Sequence, residues 1–186
     1  MLASIFKTIL ALCAAAFLLT GCEDGYNPQL EGLAEGREVK LSFHAIPPFN
    51  GDPSFMQLAI EGNKTPPGIK LVPYHGNENE QHLLVFERTQ IDQDCMTSAS
   101  AGHSPLTNLP ILNFKFDEKC TAIFAKITAE NIGDRFAVVI DGVAIAAPII
   151  QAAIDSGAGY IEGFESMEDV EALAYKITAQ SLKKND

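Results

Sequence analysis

Positive charge is scarce in this sequence. Its 186 residues hold 13 lysines and arginines against 24 aspartates and glutamates, a net charge of -11. So acidic a chain lacks the footprint of a nucleic-acid binder and is repelled by anionic headgroups, which sets both aside as partners. The spacings that carry chemistry are missing too. The four histidines, His44, His75, His82 and His103, form no H-E-x-x-H or H-x-H, and none sits four residues from another. Ser98 and Ser104 lie outside any G-x-S-x-G context. There is no Walker loop and no G-x-G-x-x-G. Asp92, Asp94, Asp117 and Glu118 lack the alternation of an EF-hand loop and read as caps and solvated faces. No catalytic residue, metal or cofactor is implied. A cleft converging on His44, His82 or Asp92 would restore an enzymatic reading.

Long apolar runs are absent except at the start. Residues 9–19 form one, preceded by Lys7, the only charge in residues 1–21. Its length is that of a signal-peptide core and falls short of the about 20 apolar residues that span a bilayer. It leads into "LLTGC", small residues before Cys22, which resembles a bacterial lipobox. The expectation is a signal peptide over 1–21 and lipid attachment at Cys22, whose thiol takes the diacylglycerol. An ordinary secretory signal cleaved elsewhere is the alternative. The lipidated chain would sit in the bacterial cell envelope facing the periplasm. Glu23 and Asp24 after the cysteine favour the inner membrane in some bacteria, and the choice of membrane stays open.

Cysteine is sparse as well. Of four, Cys13 leaves with the signal and Cys22 takes lipid, so Cys95 and Cys120 remain as a single pair in an oxidising compartment. A disulfide is favoured over two buried thiols, and closing that loop adds about 3 kcal/mol.

What is present is a domain-sized remainder. Residues 22–37, polar and glycine-bearing, read as a tether, and 38–186 as a single domain. Alternation predicts strands over 38–46, 82–88 and 111–116. Residues 50–80, rich in proline and glycine, read mostly as loop, with 56–60 and 69–73 pairing weakly within it. Asp117 caps a helix whose apolar face is Cys120, Ile123, Phe124 and Ile127, stopped by Gly133. Then comes "RFAVVIDGVAIAAPII", residues 135–150. Asp141 and Gly142 form a two-residue type I′ turn between strands 136–140 and 143–147. Continuous apolar character predicts burial on both faces. A short strand follows over 159–165, and a helix opens at Ser166 with Val170, Leu173, Ala174 and Ile177 facing inward. The fold class expected is α+β: a two-layer sandwich, a largely antiparallel sheet with helices on one face. Ile145, Ile149 and Ile150 lie just past the hairpin. Either they are core, or some form an exposed apolar patch that binds peptide.

The C-terminal motifs resemble a known family. "TAENIG" (128–133), "RFAVVIDG" (135–142) and the strand beginning at Ile145 with Pro148 match the "T-x-E-N-I-G", "R-x-A-I-V-L-D-G" and "I-S-A-P-x-I" elements of the periplasmic head subdomain of the protein-export membrane protein SecD. The match extends through residues 157–164 and a helix over 167–174. It is closest over 111–182 and weaker back to Val39. The resemblance implies a SecD head-like fold, with the hairpin at the centre of its sheet. It does not extend to SecD's six membrane helices or its base subdomain, so the export motor is not implied. It implies contact with exported or unfolded polypeptides or Sec translocon subunits, and with the lipobox and the missing catalytic patterns the reading is a non-catalytic, lipid-anchored binding module. The alternative is a structural or regulatory envelope lipoprotein that binds one dedicated partner.

Overall fold

A computed structural model describes residues 38–184, apart from 63, 77, 78 and 90. The expected signal, Cys22 and the tether lie outside the described residues. The elements are β1 (Leu41–Ala45), α1 (Pro53–Gly62), β2 (Ile69–Pro73), β3 (His82–Phe86), β4 (Ile91–Asp92), β5 (Met96–His103), β6 (Pro110–Phe116), α2 (Glu118–Glu130), β7 (Phe136–Ile140), β8 (Val143–Ala146), β9 (Ala158–Ile161) and α3 (Met167–Lys184).

The class is α+β and every strand pair is antiparallel. The strands fall into three sheets rather than one: β4-β1-β7-β8, β2-β3 and β5-β6-β9. The hairpin forms where its residues placed it, but not at the sheet's centre as expected: β7 is an inner strand and β8 is the edge. Asp141 (φ 47°) and Gly142 (φ 92°) take the left-handed backbone that a type I′ turn requires. All of β7 is buried because a layer covers each face. Phe136, Val138 and Ile140 point into the main core, while Ala137 and Val139 meet Val72, Leu83 and Val85 of the β2-β3 sheet.

Phe43 on β1 is the hub of the main core. Its ring centroid lies 5.6–6.5 Å from those of Phe114, Phe116, Phe124 and Phe136, spacings at which each aromatic pair contributes about 0.5–1.5 kcal/mol. α2 and α3 close this core, α3 through Val170, Leu173, Ala174 and Ile177. Cys95 and Cys120 are joined, with Cα atoms 5.5 Å apart, tying the start of β5 to α2.

Residues 50–80 depart from expectation. Residues 56–60 are not a strand; they belong to α1. Asp52 Oδ1 accepts from Ser54 N (2.8 Å) and Pro53 occupies the first helical position, where its missing N–H costs nothing. β2 therefore pairs with β3 and not with 56–60. α1 covers the outer face of that pair through Ala59 against Ile69 and Leu84, so helices flank the sheets on both sides. The strand expected over 159–165 is β9, residues 158–161, and it joins β6 rather than the hairpin.

Candidate functional site

Moving β9 away from the hairpin opens a gap, and the gap is a groove of about 730 Å³. β9 with Glu162 and Gly163 forms one wall. The other is an irregular strap, residues 147–154. Phe43, Phe114, Phe124 and Phe136 lie beneath. Among the described residues lining it, Glu162 is the single charged side chain.

Backbone and side-chain bonds hold the strap. Pro148 O accepts from Phe136 N (3.0 Å), and Ile150 bonds Gly133 and Asp134 through its O and N (2.9 Å each). Further on, Ile154 N donates to Thr128 Oγ1 (2.9 Å), a buried hydroxyl that also donates to Phe124 O (2.8 Å). Arg135 clamps the near end. Its Nε donates to Ala147 O (3.2 Å), while Nη1 and Nη2 reach both oxygens of Glu80 (3.1 and 2.9 Å). Its guanidinium also sits 5.8 Å over the Tyr74 ring. The hydrogen bond to Glu80 raises the Arg135 pKa above its ordinary value, so the clamp is permanently charged. Asn50 Nδ2 donates to the same carboxylate (3.1 Å), which ties the strap to the β2-β3 layer.

Two glycines let the β9 wall close in on its neighbours. A Cβ on Gly159 would come within 2.9 Å of the Phe114 ring. One on Gly163 (φ 104°) would come within 2.7 Å of the Ile145 carbonyl oxygen. The two edges of the β5-β6-β9 sheet differ. On β5, Thr178 Oγ1 of α3 accepts from Ala99 N (3.2 Å) and donates to Ala99 O (3.1 Å), and Ser181 Oγ reaches Thr97 O (3.4 Å). β9 has β6 on one side and the groove on the other, with no further strand beside it among the described residues.

Of the three isoleucines considered for binding, Ile145 on β8 and Ile150 on the strap are 6% and 7% exposed, belong to the core and line the groove from beneath. Ile149 is 53% exposed at the mouth. Asp141 and Gly142 lie at the hairpin turn, where Asp141 Oδ1 accepts from Lys40 N (2.9 Å).

No described histidine lines the groove. His44 is buried between the layers, with Nδ1 2.7 Å from Phe86 O and Nε2 2.9 Å from Ser42 Oγ and 3.4 Å from Lys70 Nζ. Burial, with the Lys70 charge beside it, lowers its pKa below the ordinary value. Asp92 and Asp117 are caps, accepting from Asp94 N (2.9 Å) and Cys120 N (2.7 Å). The described residues hold no cluster of three metal-ligating groups and no helix long and apolar enough to cross a membrane. The groove offers shape and apolar surface without a nucleophile–base pair, which suits binding.

Sequence reasoning missed Glu80 at the clamp and Tyr160 on the groove wall. Glu80 carries no local signal, since its partner Arg135 lies 55 positions away.

Comparison with known proteins agrees with the geometry. The family described as SecDF, P1 head subdomain, matches residues 70–184. The chain is 34% identical over 117 residues to the protein translocase subunit SecD of Acetobacter pasteurianus, an alignment covering 63% of this chain and 22% of that protein. It is 30% identical over 157 residues to SecD of Rickettsia conorii, covering 84% of this chain and 29% of that one. The chain thus spans under a third of the relatives it matches. A solved structure of SecDF, a membrane component that enhances protein export, superposes with a TM-score of 0.56 at 22% identity, covering 80% of this chain and 66% of that one. SecDF in a super-membrane-facing form superposes with a TM-score of 0.57 at 21% identity, covering 80% and 20%. Both show the shared fold.

Proposed function

We propose, on the premise that this chain belongs to the family of the SecDF P1 head subdomain, that it is a non-catalytic module holding extended, apolar stretches of unfolded polypeptide during protein export. The observation that carries the reading is the apolar groove set beside the outer edge of β9. A strand edge presents backbone N–H and C=O groups that another peptide backbone satisfies in register, and the pocket beside it takes side chains. Lipid attachment at Cys22, with the domain facing the periplasm near the translocon, would hold the groove where such chains emerge. The relatives are translocase subunits, which supports this setting.

The test is photo-crosslinking in living cells from a probe at Ile149, with captured proteins identified by mass spectrometry. A spread of exported proteins is expected, and Ile149→Glu should reduce binding of an apolar peptide to the purified chain about tenfold, the effect of losing one buried aliphatic contact. One dominant envelope protein would replace this reading with the dedicated-partner one. A silent probe on a folded chain would overturn it.

A further inference from the structure

The turn between β5 and β6 is unusual in what it exposes. It runs over residues 104–109 as "SPLTNL", with no charged side chain, and it holds Leu106 at 85% and Leu109 at 58% exposure. Such exposure on a slack loop would carry little meaning, but this turn is tightly knit. Ser104 N donates to Leu109 O (2.8 Å), and Asn108, at φ 59°, donates its N–H to Ser104 O (2.9 Å). Ser104 is 3% exposed, and its Oγ accepts from Leu106 N and Thr107 N (3.4 Å each). The chain spends this internal bonding to hold two leucines in water.

Ser104 also fixes where they stand. Its hydroxyl donates to Glu162 Oε1 (2.8 Å), and Glu162 is the charged residue of the groove wall. The β6-β9 register, with Leu112 opposite Ile161, sets that end of β9 against the turn. The turn is thereby fastened to Glu162, at the end of the groove wall that also carries Tyr160 (45% exposed), with Ile149 at the groove's mouth. A strand edge leading to an apolar knob fits an extended chain better than a compact partner.

We propose, resting on the groove reading above, that Leu106 and Leu109 are a second contact for the same polypeptide. The groove takes one apolar cluster of the bound chain, the wall of β9 with Glu162 and Gly163 guides about six extended residues at roughly 3.3 Å each, and the leucines take a second cluster at the far end. The preferred occupant is then an extended segment with two apolar clusters at that separation.

The full chain is titrated with three labelled, soluble peptides of equal length: one Leu-Val-Leu cluster, two clusters six residues apart, and two clusters two residues apart. The six-residue spacing should bind about tenfold tighter than either other peptide, because only it buries a second cluster on one chain. Leu106→Ser combined with Leu109→Ser should abolish that advantage and leave single-cluster binding unchanged. Both side chains are exposed, so the unfolding midpoint should hold. Equal binding of all three peptides by the native chain, or an undiminished advantage in the double variant, overturns the proposal. Native chain that binds none of them overturns the groove reading itself. Leucine-dependent sedimentation with phosphatidylcholine vesicles, without peptide discrimination, would assign the turn to a lipid surface instead.

Discussion

The two edges of the β5-β6-β9 sheet are built from one chain and treated in opposite ways. Along β5, one hydroxyl of α3, that of Thr178, satisfies both backbone groups of Ala99. Along β9 the outer side faces an apolar groove. An uncovered strand edge invites pairing with any other chain, so proteins cover edges that have no use. Covering one edge and leaving its counterpart beside a groove is the contrast on which the proposed binding role of the second edge rests. The disulfide lies on the covered side, where it fastens the approach to β5 against α2.

The contrast can be broken experimentally. The largest effect is expected from Cys95→Ala with Cys120→Ala, which should cost about 3 kcal/mol of stability. Urea unfolding measures the loss, and peptide titration well below the new midpoint should be unchanged. If affinity falls with stability, the two sides are not separable. A smaller effect follows from Thr178→Val, which keeps the shape and strands two backbone groups. About 1–2 kcal/mol should be lost, with concentration-dependent self-association in sedimentation as the β5 edge opens. A monomer of native stability would show that the hydroxyl does not seal that edge.

The smallest effect lies away from both edges, at His44. Its folded pKa is below the ordinary histidine value of about 6.5. The unfolded chain therefore binds the proton first as pH falls. Stability is complete above about pH 6.5 and declines below it until the lowered folded pKa is reached. Below that, an imidazolium would stand 3.4 Å from Lys70 Nζ, itself a group whose pKa burial lowers despite the Glu87 charge. Unfolding midpoints measured from pH 7.5 to 5 should fall, and His44→Gln should flatten the slope. An unchanged slope would assign the acid sensitivity to other groups.

The hairpin, α2 and α3 were legible because each carries its own punctuation: Asp141-Gly142, Asp117 with Gly133, and Ser166. α1 carried Asp52-Pro53 as well, but Met56, Leu58 and Ile60 alternate like a strand, and the surrounding prolines and glycines read as loop. The division into three sheets was not legible. Which edge β9 joins depends on Gly159 fitting against the Phe114 ring and Gly163 against the Ile145 carbonyl, neither a local property. The same division decided the isoleucines. Periodicity put Ile145, Ile149 and Ile150 near one another, and the strap's bonds to Gly133 and Asp134 determined which one faces water.

The pairing of β1 with β7 has a temporal meaning. Lys40 meets Asp141 across 101 positions of chain, and Leu41 through Ala45 find no partner strand in the centre of their sheet until residues 136–140 are available. Contacts so distant in sequence are slow to form, because the loop must close before any of them stabilises it. A chain emerging N-terminus first through a narrow pore would thus lack its central strand pair until about three-quarters of its 186 residues had crossed.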